Sequence, residues 1–283
     1  MLRLLLALCL LTAAQAQSQI LQLRGSIVVA QVLQAAAPEL KKDHNIEFRI
    51  ITEGGSSPAI QSLAQEGVID MALSTRIMTP EERAQQPSKE FFETSIGKQA
   101  IVLVVPDAIW NGGVQSLDKT QAVALYENDI KNWKRVGGPD RAVKFFHRDA
   151  EQGIWEVFAL WGYGEIRKAP KPRGEFLKTP SDVLTTVEFN LGSISILEFG
   201  SLAAGRNIQA LGIKLADGTI AKPDLATIGS GQYPITRPLS LITIDRPTGK
   251  LRDLIEFMTS EKGQVYVKQL GHITNAEIES AAK

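Results

Sequence analysis

Three short stretches of this chain carry residue types that together could hold a small oxyanion. They are Gly25-Ser26, Gly54-Gly55-Ser56-Ser57-Pro58, and Arg148-Asp149-Ala150-Glu151-Gln152-Gly153. Each follows a strand-like apolar run and opens a helix-like one. Glycines let the backbone bend with positive φ and aim N–H groups at one spot. Serine hydroxyls add donors, and a helix N-terminus adds the positive end of its dipole. Arg148 adds a planar guanidinium that matches an oxyanion in a two-pronged fork. In the second stretch Ser57 suits the helix N-cap, and Pro58 suits the first helical turn, where a missing N–H costs nothing. One such junction reads as a capped helix with a flexible entry. Three in one chain point to a shared anion cradle.

The elements that must position these loops alternate. Residues 20–23 are strand-like, and Val29, Val32, Leu33, Ala36 and Leu40 follow at helical spacing. Residues 46–52 read as a strand, 59–66 as a helix and 68–73 as a strand. This βαβαβ order implies a mostly parallel sheet with right-handed crossovers. Residues 100–105 form a continuous apolar run, as in a strand buried on both faces. The alternation then restarts: 117–126 helical, 143–146 strand, 153–161 helical, a helix opened by Thr179-Pro180, and a strand over 193–197. Two helices are expected within 251–270. We therefore expect an α/β protein of two lobes, residues 17–104 with 198–283 and residues 105–197, each a mostly parallel sheet flanked by helices. Ligands of such sheets bind beyond the carboxyl ends of the strands, here in the cleft between lobes.

Composition narrows the function classes. The 283 residues carry 31 basic and 31 acidic side chains, so no basic excess points to nucleic acid. Residues 1–16 read as a signal peptide, with Arg3 before an apolar run and Ala14-Gln15-Ala16 as the cleavage site. The sole cysteine, Cys9, falls inside it, so the mature chain is expected to lack disulfide and thiol chemistry. No later segment approaches eighteen uninterrupted apolar residues. His44, His147 and His272 show no metal-ligand spacing, and no nucleophile elbow is present. We expect a monomer in the periplasm or cell exterior, with no cofactor, no metal and no catalytic set.

At this point the chain resembles the phosphate-type periplasmic binding proteins, the substrate-binding subunits of phosphate ABC transporters. Asp70-Met71-Ala72-Leu73-Ser74-Thr75-Arg76 resembles the family's D-I-G-M-S-S-R segment. Ile130-Lys131-Asn132-Trp133 with Val136-Gly137-Gly138-Pro139-Asp140 is similar to its I-x-N-W-x-x-V-G-G-P run. Tyr233-Pro234-Ile235-Thr236-Arg237-Pro238-Leu239 is similar to Y-P-L-T-R-P-L, and Glu261-Lys262-Gly263-Gln264 to the late S-x-E-G-Q helix. The resemblance implies the two-lobed periplasmic-binding-protein fold with a two-strand hinge, a desolvated oxyanion between the lobes, and membrane subunits of an ABC transporter as partners. Trp133, the Gly-Gly-Pro turn and Arg237 read as scaffold.

The site departs from the pattern more than the scaffold does. The family's R-x-x-x-S-G-T reads Arg148 to Ile154 here, with Gln152 for the serine and Ile154 for the threonine. An acidic residue that some members carry after the third strand is replaced by Thr75 and Arg76. The ligand contacts this reading expects are Ser26, Ile27, Gly55, Ser56, Ser57, Thr75, Arg76, Arg148, Gln152, Gly153 and Ile154. The alternative is a degenerate binding-protein-like domain that acts as a sensor or interaction module without tight phosphate binding.

Overall fold

The computed structural model describes residues 20–65, 67–148, 153–171 and 176–281. The expected signal segment with its cleavage site, Cys9, and the expected contact Gln152 lie outside the described residues.

The chain opens with β1 (Leu21–Gly25), α1 (Ile27–His44), β2 (Phe48–Ile51), α2 (Ser56–Ala64) and β3 (Met71–Ser74). This is the alternation the apolar spacing predicts, and β1 pairs in parallel with both β2 and β3. Val29, Val32, Leu33, Ala36 and Leu40 form the fully buried stripe of α1. A short α3 (Pro80–Ala84) follows, opened by a capping box between Thr79 and Glu82. Then comes β4 (Phe91–Pro106), a strand of 16 residues and far longer than the apolar run over 100–105. Glu93, Thr94, Ser95 and Lys98 break the pattern in its first part, where the strand keeps polar, partly exposed positions. Only from Gln99 onward is every residue buried, and only there does the sequence show it.

After β4 come α4 (Asp107–Trp110), β5 (Ser116–Asp118) and α5 (Lys119–Tyr126). Leu117 therefore belongs to a strand, not to the helix expected over 117–126. The cause is local: Asp118 and Gln121 form a reciprocal capping box that starts the helix at Lys119, two residues later. Next are β6 (Lys144–Arg148), α6 (Gly153–Tyr163), β7 (Phe176–Leu177), α7 (Pro180–Phe189) and β8 (Ser193–Glu198). Thr179 caps α7 as its sequence suggests. Then come β9 (Ile208–Ala210), β10 (Gly212–Lys214), β11 (Ile220–Ala221), α8 (Leu225–Ser230), β12 (Thr236–Ile244), α9 (Gly249–Thr259), α10 (Glu261–Gln269) and α11 (Asn275–Ala281). No apolar stripe in the sequence marks α11.

The main sheet runs β2-β1-β3-β12-β4-β8-β6-β7, with β9 on the flank of β4. Parallel pairs lie toward the two ends, β1 with β2 and β3, and β6 with β7 and β8. At the centre β12 is antiparallel to β3 and β4, and β4 is antiparallel to β8. The first part of β4 pairs with β12 and the second, Ile101 to Val104, with β8. β4 thus serves both ends of the sheet. One core gathers Leu23, Leu33, Met71, Leu239 and Met258, and another gathers Leu103, Trp133, Phe158, Ile196 and Leu197. Trp133 is fully buried and its indole N–H donates to the Gly192 carbonyl at 2.9 Å, so the Ile130–Asp140 motif is scaffold. No helix among the described residues is long and apolar enough to cross a membrane.

Candidate anion-binding site

The first junction sits at the carboxyl end of β1. The Ser26 backbone N–H donates to the Leu73 carbonyl at 2.9 Å, clamping the loop onto β3. Gly25 has φ 142°, and a Cβ there would overlap that same carbonyl oxygen. Ser26 caps α1: its Oγ accepts the Val28 N–H at 3.3 Å. The cap uses the oxygen as an acceptor, which leaves the hydroxyl proton for a ligand. Ile27, the first residue of α1, lines the cleft beyond.

The second junction corrects one expectation. Gly55, not Ser57, is the N-cap of α2, and no side chain caps this helix. The reason is that both hydroxyls turn toward the end of β3. Ser56 Oγ accepts the Thr75 N–H at 3.1 Å, and Ser57 Oγ accepts from Arg76 Nη2 at 2.8 Å. Gly54 and Gly55 both take positive φ, as the bend requires. Arg76 is tied to Glu82 through both Nη atoms, at 2.9 and 2.6 Å, with a further bond to the Ile77 carbonyl. That pairing raises the Arg76 pKa and holds the Glu82 carboxyl below the usual range. Arg76 therefore meets a ligand only with its charge already compensated.

The third junction leads from β6 into α6. Arg148 ends β6, is 3% exposed, and donates from Nη1 to Glu198 Oε2 at 3.2 Å. Glu198 ends β8, the parallel neighbour of β6. Gly153 opens α6 and is buried against Val28 of α1, with Ile154 buried behind it. The first turns of α1 and α6 are thus in direct contact. A side chain at 153 would collide with Val28 and with Arg237, whose guanidinium donates to the Gly153 carbonyl at 2.7 Å.

The contact between Gly153 and Arg237 divides the expected residues between two clefts. One, about 600 Å³, takes Ile27, Val28, Arg148, Gly153 and Ile154. The other, about 270 Å³, takes Gly55, Ser56, Ser57, Thr75 and Arg76, with Glu156 and Arg237 on its far wall. Ser26 lies buried between its two neighbours in sequence and lines neither. The described residues expected in one site thus stand around two clefts separated by a partition that the sequence does not reveal. Among the described residues no cluster of His, Cys, Asp or Glu could hold a metal ion.

The structure adds residues that motif matching missed. Glu198, Lys178 and His272 line the larger cleft. Glu198 and Lys178 were detectable as single charges at the ends of apolar strands, but nothing in the chain links them to Arg148. His272 is 6% exposed and its Nδ1 is buried with no hydrogen-bond partner among the described residues. Burial, aided by the charge of Arg237, pushes its pKa down to about 4. A base whose folded-state pKa is depressed costs nothing above its unfolded value near 6.5 and opposes folding as pH falls toward 4. We expect this one residue to cost about 2 kcal/mol of stability between pH 7 and pH 5. Urea unfolding of the protein and of His272→Gln at both pH values checks it: the variant should lose less, and equal losses would refute the assignment.

The geometry defines a class: an open α/β sheet whose strand ends and helix N-termini face a cleft holding a buried arginine. A family model described as the PBP superfamily domain matches residues 12–262, and the chain belongs to that superfamily. The phosphate-binding protein PstS of Borreliella burgdorferi is 25% identical over 265 residues, covering 92% of this chain and 91% of that protein. The phosphate-binding protein PstS of Bacillus subtilis is 24% identical over 84% of this chain and 76% of that protein. Among solved structures, an ABC-type phosphate transport receptor from Vibrio cholerae superposes with TM-score 0.72 at 23% identity, covering 90% of this chain and all of that one. A possible phosphate binding protein from Planctomyces limnophilus gives 0.79 at 20% identity, over 94% of this chain and 99% of that one. At these identities the structures establish the shared fold.

Proposed function

We propose that this chain is an extracytoplasmic solute-binding protein that takes phosphate, or a related small oxyanion, in the cleft between two lobes and delivers it to an ABC transporter. In this reading the lobes are residues 17–104 with 198–283, and residues 105–197, as the alternation suggests, with one exception. Ile208, Ile213, Tyr233 and Ile235 share the core of Trp133 and Phe158, so the return crossing falls near the start of β12, with β4 as the outgoing strand. The observation that carries the reading is the buried Arg148, placed in one cleft with the first residues of α1 and α6. The names of the relatives support phosphate as the ligand and a transporter as the partner.

In this reading Arg148 supplies charge and a two-pronged donor set. The opening N–H groups of α1 and α6 supply further donors, since the first four of any helix lack intrahelical acceptors. The Ser26 hydroxyl, whose oxygen already accepts the Val28 N–H, is left to donate, whereas Ser57 lies in the other cleft. Closure of the lobes removes water and strengthens every one of these contacts. Ile154 gives only its backbone N–H where a hydroxyl side chain would add a second bond. Each such bond to a charged ligand is worth about 1.5–3 kcal/mol. Glu198 brings a carboxylate into the same cleft and competes for Arg148.

Isothermal titration calorimetry of ligand-stripped protein with phosphate, sulfate, arsenate, molybdate and tungstate tests the proposal. We expect saturable heat with phosphate or another of the five. Silence with all of them would overturn the transport reading and leave the sensor-like module in its place.

A further inference from the structure

Arg237 reads from sequence as scaffold, yet it is tied to the residues that would meet the ligand. It is 8% exposed on β12, and its three donor nitrogens reach three different groups. Nε donates to Gln99 Oε1 of β4 at 2.9 Å. Nη1 donates to Glu156 Oε2 of α6 at 3.1 Å, and Nη2 to the Gly153 carbonyl at 2.7 Å. We propose that Arg237 is a positioning residue for the oxyanion site, which fixes the Gly153–Ile154 peptide so that the Ile154 N–H faces the ligand. The proposal rests on the reading of the larger cleft as an oxyanion site.

Peptide geometry links the anchored carbonyl to the N–H that follows it. A trans peptide is planar, with its C=O and N–H antiparallel. Anchoring the Gly153 oxygen therefore fixes the direction of the Ile154 N–H, which points out of the helix start. A hydrogen bond to the carbonyl also polarises the peptide and makes its N–H a better donor. The donor matters here because residue 154 is isoleucine and offers no hydroxyl. Gly153 is what lets the guanidinium come so close: a Cβ there would lie 2.5 Å from Nη2 and would also overlap Val28. Arg237 is held on β12 by the buried Gln99 of β4, so its bonds to Gly153 and Glu156 tie α6 to the sheet. If α6 moved away, two donors of a buried guanidinium would lose their acceptors, and that cost favours the arrangement with α6 docked.

The test uses Arg237→Gln and Glu156→Ala in the full mature chain, with two readouts. One is phosphate affinity by calorimetry; the other is the amide proton shift of Ile154 in ¹⁵N–¹H spectra of the ligand-free protein. We expect Arg237→Gln to weaken phosphate binding about tenfold, the loss of one charge-assisted contact. The Ile154 amide proton should move upfield as its peptide loses polarisation. Glu156 is 41% exposed, so Glu156→Ala should fold normally and shift both readouts the same way by less. A well-folded Arg237→Gln with an unmoved Ile154 amide overturns the proposal, as does a moved amide with unchanged affinity. If Arg237→Gln fails to fold, Glu156→Ala decides on the same terms. If the parent protein binds no phosphate, the transport reading fails separately, while the amide shift still decides the role of Arg237 on this peptide.

Discussion

Replacing Arg148 by alanine is expected to abolish phosphate binding, with affinity falling at least about a hundredfold. Two effects add. The ligand loses charge-assisted bonds worth about 1.5–3 kcal/mol each. The cleft also keeps the Glu198 carboxylate, 13% exposed and now stripped of the partner at 3.2 Å, where it repels any anion. Breaking one side of a buried pair costs about 3–5 kcal/mol, so some fold stability is lost as well. The two losses separate in the double variant Arg148→Ala with Glu198→Gln, which should recover stability without recovering affinity. Arg148→Lys keeps the charge but not the fork, and should still bind more weakly than the parent. Calorimetry of these variants beside thermal melts is the measurement. Unchanged affinity in Arg148→Ala would remove Arg148 from the site.

Gly25→Ala should cost more than about 4 kcal/mol of fold stability, a range reached only when a specific clash or buried defect is created. The new Cβ would overlap the Leu73 carbonyl oxygen, and a flexible side chain is not available to yield. The φ of 142° adds strain of about 1–3 kcal/mol for any residue with a side chain. Relief requires β1 and β3 to separate at the point where Ser26 bonds Leu73. That movement would also re-aim the cap of α1, so surviving folded protein should bind phosphate poorly. Urea unfolding measures the first effect. A loss under about 1 kcal/mol would mean that the junction is not the rigid clamp described here.

Much of this site can be read from the chain because its parts are local. Gly25-Ser26, Gly54 to Ser57, and Arg148 with Gly153 are each a strand end followed by a helix start. Such junctions are written in short-range terms: apolar periodicity, glycine, a capping side chain. The family landmarks rest on the same kind of local signal, and Trp133 is buried scaffold as its motif suggests. Apart from the start of α5, which its own capping box sets, errors arose where the deciding partner was distant. Ser57 reads as a cap, but Arg76, 19 residues on, takes its oxygen. The start of β4 reads as nothing in particular, because its polar residues face partly outward while β12 supplies the pairing.

By itself the sequence determined the alternation of strands and helices, the three Gly/Ser-rich or Arg-bearing junctions, and an apolar side chain without a hydroxyl at Ile154. These follow from side-chain chemistry within a few residues along the chain. Tertiary structure alone decided that Arg76 spends its charge on Glu82, that Glu198 stands beside Arg148, and that Arg237 reaches Gly153 across 84 residues of chain. Whether a charged side chain is spent on a protein partner or left for a ligand depends on which other groups the fold buries beside it. That burial is set by sheet order, with β6 beside β8 and β12 beside β4, and no local pattern encodes it.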